Sequence, residues 1–196
     1  MKYIIMCDGK GTRWNNYNNI PKHFVEVDGE PLIKRTVRQL NERVSDPIII
    51  TSHDKRYDIY GAYRYEPKNN SLEIDRFTEE LIEDNICFLY GDTYYTDSAI
   101  EKIINTPVND ILFFGDLESI VAVKIKNGSL FKYHVDHVRD LYIKGKIKNC
   151  KGWQVYQSFL DLEFDVKKVD REFIRLDDEI INFNTPYEYE NSILKR

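Results

Sequence analysis

The chain has 196 residues, of which 42% are apolar and 31% charged, and this composition is ordinary for a globular domain with one hydrophobic core. Its formal net charge of −5 argues against a nucleic-acid-binding protein, which would need a basic face. The apolar runs are shorter than the ~20 residues of a membrane helix, and the first is too short for a secretory signal. We therefore expect one cytoplasmic domain over residues 1–196, with no nucleic acid and no membrane among its partners.

The first predicted strand, Lys2–Cys7, runs directly into a glycine-rich loop, Asp8–Arg13. Such a turn exposes backbone amides, unshielded by Cβ atoms, where an anion can come close. Arg13 and Lys22, which follows Pro21, add positive charge beside the amides. The loop has neither the spacing of a Walker loop nor the third glycine of a dinucleotide fingerprint. We interpret it as a polyphosphate-binding loop, and a plain chain reversal is the alternative.

Buried strands and amphipathic helices alternate along the next part of the chain. Strands are predicted at Phe24–Val27, Ile48–Thr51, Gly61–Tyr65, Ile86–Tyr90 and Asp110–Phe114. Helices are predicted from Leu32 to Val44, over Leu72–Leu81 after a Ser71 cap, and from Asp97 or Ser98 onward. This alternation is typical of a parallel sheet that helices cover on both faces, with ligands at the carboxyl ends of the strands.

The pattern loosens after residue 115. An extended segment at Ile120–Lys126 and two helices, Leu130–Leu141 and Gln154–Leu160, are predicted. Between the helices, Lys144–Gly152 is a basic loop, which is either a phosphate-contacting flap or a solvated linker. Thr185–Glu188 has the form of a capping box and predicts the start of a final helix.

The chain has three cysteines, Cys7, Cys87 and Cys150, whose spacing is not that of a metal site. Two of them fall in predicted core strands. We expect all three to be buried, reduced thiols.

Three segments, in order, resemble the opening signature of the sugar-phosphate nucleotidyltransferase superfamily. They are Met6–Arg13, Pro21-Lys22 and Val27–Ile33, which match the patterns Gly-x-Gly-Thr-Arg, Pro-Lys and Gly-x-Pro-Leu. The branches of choline-phosphate cytidylyltransferases and molybdenum-cofactor guanylyltransferases are the most similar. The resemblance implies an α/β fold, a Rossmann-like three-layer sandwich with a mostly parallel sheet, of the nucleotide-diphospho-sugar transferase type.

The resemblance also implies a reaction. An enzyme of this superfamily joins a nucleoside monophosphate from an NTP to a phosphorylated small molecule, with Mg²⁺, and releases pyrophosphate. The acceptor would be a sugar phosphate or an alcohol phosphate such as phosphocholine. Its attacking oxygen is already ionised, so no general base is required.

Two cations carry the implied chemistry. Lys22 matches the lysine of the Pro-Lys pattern and is expected near the α-phosphate, where it would stabilise the transition state. Arg13 is expected to contact the β- and γ-phosphates, since its guanidinium fork matches phosphate oxygens. It would act together with the backbone amides of Gly9, Lys10, Gly11 and Thr12.

The implied metal site combines residues that are far apart in the sequence. Asp92, in Gly91-Asp92 after a buried strand, matches the family's aspartate ligand for Mg²⁺, with a turn-forming role as the alternative. Asn184, just before Thr185-Pro186, takes the position of the second ligand. Many relatives have aspartate there, so a neutral amide suggests a weaker metal site.

Asn69, Asn70 and Ser71, followed by Leu72, resemble a segment of the choline-phosphate cytidylyltransferases. The resemblance implies contact with the base or ribose and favours CTP as the nucleotide, although the spacing is shorter than in that family.

Two departures from the family pattern leave other functions open. Asp8 replaces a small residue and would repel a triphosphate unless it binds metal or points away, and Trp14 replaces the usual Leu or Met. A non-catalytic nucleotide-binding subunit is therefore one alternative, which Asp8 and Asn184 favour. A glycosyltransferase of related fold is another, although it would not need the Gly-x-Gly-Thr-Arg and Pro-Lys patterns.

Overall fold

The structure is a computed structural model that describes residues 1–164, 166 and 168–194. Its strands are β1 (Lys2–Met6), β2 (Glu26–Val27), β3 (Glu30–Pro31), β4 (Ile48–Thr51), β5 (Tyr63–Tyr65), β6 (Ile86–Tyr90), β7 (Thr93–Tyr95), β8 (Ile111–Gly115), β9 (Ile120–Ile125), β10 (Phe173–Arg175) and β11 (Ile180–Asn182). Its α-helices are α1 (Leu32–Asn41), α2 (Asp97–Asn105), α3 (Gly128–Ile143), α4 (Gly152–Phe159) and α5 (Pro186–Leu194).

A seven-stranded sheet in the order β10-β8-β9-β6-β1-β4-β5 forms the centre of the fold. Its strands run parallel except β9, which is antiparallel to both β6 and β8. The central strands are continuous apolar runs because both faces of the sheet are covered. The predicted mostly parallel sheet is confirmed.

Helices cover both faces of this sheet. Along β1, Ile5 faces a core that includes α1 and α2, whereas Ile4 faces the opposite core, which includes α3 and α4. This alternation follows from the two-residue period of a strand. The result is the predicted Rossmann-like three-layer α/β sandwich.

The predicted helix over Leu72–Leu81 is wrong. The segment forms two 3₁₀ turns, Glu73–Arg76 and Glu79–Leu81. The carboxylate of Asp75 accepts from the amides of Ser71 and Leu72, at 3.0 and 2.7 Å, and this contact, not a Ser71 cap, begins the first turn. Arg139 of α3 also donates to Asp75, at 3.2 Å, so a tertiary ion pair fixes the turn.

The basic segment between α3 and α4 is shorter than predicted and partly buried. α3 continues to Ile143 and α4 already begins at Gly152. Ile147 and Cys150, within the segment, are buried against the α3–α4 core. A fully solvated linker is therefore wrong for this part of the chain.

The structure bears on the cysteines and on the possibility of a membrane helix. Cys7, Cys87 and Cys150 are all free and buried, as predicted. Among the helices that the structure describes, none combines the length and the apolarity that crossing a membrane requires.

Lys124, on β9, is a buried lysine that caps a helix. It is 5% exposed, and its Nζ donates to the carbonyls of Ile103, Ile104 and Thr106 at the end of α2, at 2.6 to 3.1 Å. Burial lowers the pKa of Lys124, and these carbonyls compensate for the loss of water.

We expect Lys124→Met to destabilise the fold by about 2 kcal/mol, because the last α2 carbonyls lose a charged donor. For a chain of this size that is a fall of ~5 °C in Tm, measured by calorimetry. Lys126→Met, which changes an exposed lysine just beyond the same strand, is the control. Equal Tm values for the two variants would contradict the capping role.

Candidate active site

The glycine-rich loop, Asp8–Arg13, leaves the carboxyl end of β1. Gly11 has a φ of +57°, which favours glycine, and its carbonyl accepts from the Trp14 amide at 2.9 Å. The Trp14 side chain is 2% exposed, and its Nε1 donates to the Ile20 carbonyl at 3.0 Å. The tryptophan that departs from the family pattern therefore anchors the loop in the core.

Lys22 and Asp92 form a buried ion pair beside this loop. Both residues are 8% exposed, and the Lys22 ammonium donates to an Asp92 carboxylate oxygen. Burial by itself would raise the pKa of Asp92, but Lys22 and other nearby cations outweigh it and lower that pKa below its ordinary value. Asp92 is therefore ionised, and each charge acts strongly because little water screens it.

His23, the neighbour of Lys22, is buried and neutral. Its Nδ1 lies 2.6 Å from the Tyr57 hydroxyl. Burial and the charge of Lys22 lower the pKa of His23 to about 3, which makes it a very weak base at neutral pH.

A short antiparallel strand pair brings Asn184 close to Asp92. β11 pairs with β7 so that Asn182 lies opposite Thr93. One residue further on, the Phe183 amide donates to the Asp92 carbonyl at 2.9 Å. Asp92 and Asn184 consequently line the same cleft.

The predicted capping box at the start of α5 is confirmed. Glu188 Oε2 accepts from the amides of Asn184 and Thr185, at 2.7 and 2.8 Å, and the Glu188 amide donates to Thr185 Oγ1 at 3.2 Å. The Asn184 side chain is bound by a different residue: its Oδ1 accepts from Arg13 Nη2 at 2.9 Å. The cap thus fixes the backbone of Asn184, and Arg13 holds its side chain.

Two clefts meet at the Lys22–Asp92 pair. The loop cleft has a volume of about 330 Å³, and its walls include Asp8, Gly9, Lys10, Gly11, Lys22 and His53. The strand-end cleft has a volume of about 180 Å³, and its walls include Arg13, Arg76, Asp92, Lys151, Trp153 and Asn184. A small void touches both Lys22 and Asp92. The pair therefore lies where a ligand in one cleft would meet a ligand in the other.

The residues predicted to bind phosphate divide between these clefts. Gly9, Lys10 and Gly11 line the loop cleft, as a polyphosphate-binding loop requires. Arg13 lines the strand-end cleft instead, where it holds Asn184. Thr12 is exposed at the tip of the loop.

The Asn69–Ser71 segment packs against the glycine-rich loop through two of its residues. The Asn70 side chain donates to the Asp8 carbonyl, and Lys10 Nζ lies 3.4 Å from the Ser71 carbonyl. Asn69 instead accepts from the amide and hydroxyl of Ser71, which closes a local turn, and it lines a separate cavity. The structure brings Asn70 and Ser71 to the loop, but not Asn69.

Asp8, the unusual acid of the loop, is paired with His53. Asp8 Oδ1 accepts from the His53 amide at 3.1 Å, and both carboxylate oxygens lie 3.0 Å from His53 Nδ1. The Asp8 hydrogen bond, more than its charge, raises the pKa of His53. His53 is therefore the partner of the Asp8 carboxylate, whose negative charge the sequence left unexplained. The position of His53 just after a buried strand was the available signal.

Arg76 lines the strand-end cleft without any sequence signal for that role. It ends the first 3₁₀ turn, in a segment whose periodicity predicted a helix. Lys151, from the basic segment, lines the same cleft. The walls of this cleft therefore hold three cations, three acids and two amides, which are Arg13, Arg76 and Lys151, Glu73, Asp92 and Glu118, and Asn182 and Asn184.

Known proteins are similar to this chain in sequence over part of its length. Residues 3–106 match the family model of the MobA-like NTP transferase domain. The bifunctional protein GlmU of Methanococcus aeolicus is 30% identical over 128 residues, which are 65% of this chain and 29% of that protein. The bifunctional IPC transferase and DIPP synthase of Archaeoglobus fulgidus is 26% identical over 151 residues, 69% of this chain and 30% of that protein. The chain thus spans about three tenths of the length of these relatives.

Solved structures share the whole fold at low sequence identity. The CTP:phosphocholine cytidylyltransferase of Streptococcus pneumoniae has a TM-score of 0.64 and 18% identity, over 99% of this chain and 98% of that one. The inositol-1-phosphate CTP transferase of T. maritima has a TM-score of 0.62 and 14% identity, over 95% and 90%. The family model covers more than half of the chain, including the glycine-rich loop, Lys22 and Asp92, and the protein therefore belongs to the family of MobA-like NTP transferase domains.

Proposed function

We propose that this protein joins a nucleoside monophosphate from an NTP to a phosphorylated small molecule and releases pyrophosphate. One observation carries the proposal: the buried Lys22–Asp92 pair separates a cleft walled by the glycine-rich loop from a cleft in which three cations lie beside three acids. The first cleft suits a triphosphate, and the second suits a small phosphorylated acceptor. The family supports the general reaction.

In the proposed reaction an oxygen of the acceptor phosphate bonds to the α-phosphorus, and the bond from that phosphorus to the bridging oxygen breaks. The electron pair leaves with pyrophosphate, and no proton has to move. Lys22 lies between the clefts and would neutralise charge on the α-phosphate as the transition state forms. Because Lys22 is held by Asp92 before any ligand binds, little reorganisation is needed.

The donor set fits Mg²⁺. Asp92 offers a carboxylate and Asn184 a carbonyl oxygen in the same cleft, and Mg²⁺ favours such hard oxygen ligands. Mg²⁺ usually takes only one or two protein carboxylates and completes its shell with phosphate and water. We propose that Asp92 and Asn184 hold the ion, which would supply charge neutralisation at the phosphates.

We further propose CTP as the nucleotide. Support comes from the resemblance of the Asn69–Ser71 segment to that of cytidylyltransferases and from the contact that Asn70 makes with the loop. The strand-end cleft, at about 180 Å³, suits a compact acceptor such as a sugar phosphate or phosphocholine.

The test combines binding with turnover. The first measurement is the shift in Tm with ATP, CTP, GTP or UTP, each with Mg²⁺, since a ligand at 100 times its Kd stabilises a protein by roughly 2.7 kcal/mol. The second is pyrophosphate release with the selected NTP and a panel of sugar 1-phosphates and phosphocholine. Stabilisation without pyrophosphate release would indicate a non-catalytic nucleotide-binding protein. Stabilisation by nucleotide-sugars alone would indicate a glycosyltransferase, and selective stabilisation by a purine nucleotide would exclude CTP.

The Asp8–His53 pair predicts a pH dependence of NTP affinity. Protonated His53 balances the Asp8 charge, and this balance is complete below the ordinary pKa of 6.5 and is lost as pH rises through the raised pKa. Above it, the uncompensated carboxylate repels the triphosphate, and we expect Kd to rise about threefold. The measurement is the Kd of CTP by isothermal titration, without acceptor, from below pH 6.5 to above the raised pKa of His53.

His53→Gln is the matched control for this prediction, because its amide stays neutral at every pH. Any remaining pH dependence of its Kd comes from the ionisation of the nucleotide and of other groups in the protein. Identical slopes for the wild type and His53→Gln would show that the pair does not influence NTP binding.

A further inference from the structure

Arg76 packs directly against the glycine-rich loop. Its Nη2, Cζ and Nε atoms lie 3.3, 3.4 and 3.4 Å from the position that a Cβ on Gly9 would take. Three nearly equal distances mean that the guanidinium has its face toward the position that a Gly9 Cβ would take. The absence of a side chain at Gly9 therefore makes room for the arginine.

Arg76 borders the strand-end cleft and the small void beside the Lys22–Asp92 pair. Among the described lysines and arginines it is the one that lines both of these spaces. Arg13 and Lys151 border only the strand-end cleft, and Lys22 borders the void and the loop cleft.

The donors of Arg76 are weakly engaged. The carboxylate oxygen Oε1 of Glu73 lies 3.7 Å from Arg76 Nη1, beyond hydrogen-bond distance, and half of the Glu73 side chain is exposed. By contrast, Arg13 donates to Asn184 at 2.9 Å, and Arg139 donates to two carboxylates at 2.6 and 3.2 Å. A guanidinium fork that is three-quarters buried and held by packing is well prepared to bind phosphate oxygens.

We propose that Arg76 is a further catalytic residue, whose guanidinium contacts the α-phosphate and the acceptor phosphate together. The proposal rests on the proposed function. The acceptor oxygen and the α-phosphate both carry negative charge, and their repulsion grows as the new oxygen–phosphorus bond forms and the bond to pyrophosphate breaks. Arg76 borders both the strand-end cleft and the small void. Its charge lowers the repulsion between the two phosphates most when they are closest, which is in the transition state.

The test compares Arg76→Met and Arg76→Lys with Arg38→Met, an exposed arginine on α1 that pairs with Glu30 and Glu42. For Arg76→Met we expect kcat to fall by about 10²–10³-fold, with an NTP Kd within about threefold of wild type. Arg76→Lys should recover about tenfold of that loss, since it keeps the charge but not the fork. Arg38→Met should match the wild type. Unfolding curves check that each variant is folded.

Two further measurements separate a catalytic from a structural role. Millimolar guanidinium ion should restore part of the turnover of Arg76→Ala, which a packing defect would not allow. Gly9→Ala, whose Cβ would lie 3.3 Å from Arg76 Nη2, should displace the guanidinium. Its effect on kcat should therefore be smaller in the Arg76→Met background than in the wild type.

The possible failures are distinct. If the wild type turns over and Arg76→Met stays within threefold of it, the role of Arg76 is wrong while the proposed function stands. The same conclusion follows if the loss lies only in NTP affinity, or if guanidinium restores nothing. If the wild type itself releases no pyrophosphate with any NTP and acceptor, the proposed function is wrong and the role of Arg76 falls with it.

Discussion

Lys22→Ala is expected to lower kcat by about 10²–10³-fold while NTP Kd changes much less. Loss of one preorganised charge aimed at a transition state costs roughly 3–4 kcal/mol. The loss should be in kcat because Lys22 is engaged by Asp92 before ligands bind, so its ground-state contribution to NTP binding is small. Single-turnover rates and equilibrium titrations, made on the same preparation, separate the two effects.

The ion pair complicates this variant and also supplies its control. Lys22→Ala leaves the Asp92 carboxylate buried and without its closest cation, which costs up to about 3 kcal/mol of stability. Lys22→Met combined with Asp92→Asn removes both charges and should recover most of the stability without recovering turnover. A Lys22→Ala protein that is folded and retains a wild-type kcat would remove Lys22 from the mechanism.

The proposed Mg²⁺ site depends on the Asp92 carboxylate. Asp92→Asn should abolish Mg²⁺-dependent pyrophosphate release, because it leaves two neutral side chains, at positions 92 and 184, to hold the ion. Asn184→Asp should act in the opposite direction. It adds a charged oxygen ligand of nearly the same shape and should lower the Mg²⁺ concentration needed for half-maximal activity by about three- to tenfold.

The contact between Asn184 and Arg13 limits the size of that gain. Arg13 donates to Asn184 Oδ1, and an aspartate there would share its charge between Arg13 and the ion. Asn184→Asp combined with Arg13→Met should therefore bind Mg²⁺ more tightly than Asn184→Asp alone. Titration of Mg²⁺ against pyrophosphate release tests each variant. An active Asp92→Asn protein together with an unchanged Mg²⁺ requirement in Asn184→Asp would put the metal elsewhere.

Asp8 and Asp116 also lie just beyond the ends of strands, β1 and β8, and the structure gives both of them local partners. Asp8 is bound by His53. Asp116 Oδ1 accepts from the amides of Glu118 and Ser119, at 2.7 and 2.6 Å, which is the turn-forming role of an aspartate. Asp92, whose partner is a buried lysine, is therefore the strand-end acid with the strongest case for a functional role.

The sequence by itself determined the parts of this protein in which the signal is local. The buried strands follow from uninterrupted apolar runs such as Ile86–Tyr90, and the glycine-rich loop, Pro21-Lys22 and the Thr185 capping box depend on residues within a few positions of each other. These features determined the fold class and the family. Local hydrogen-bonding chemistry and hydrophobic periodicity act over one element, so one sequence suffices to detect them.

Only the tertiary structure decided what meets at the site. β7 and β11 have three residues each, too few for a periodic signal, yet their pairing places Asn184 in the same cleft as Asp92. The segment before Arg76 satisfied a helical period, but Asp75 is drawn to Arg139 of α3, and the chain turns there instead. Long-range ion pairs and strand pairings depend on residues that are distant along the chain. Contacts made only after folding therefore set the positions of Arg76, His53 and Asn184.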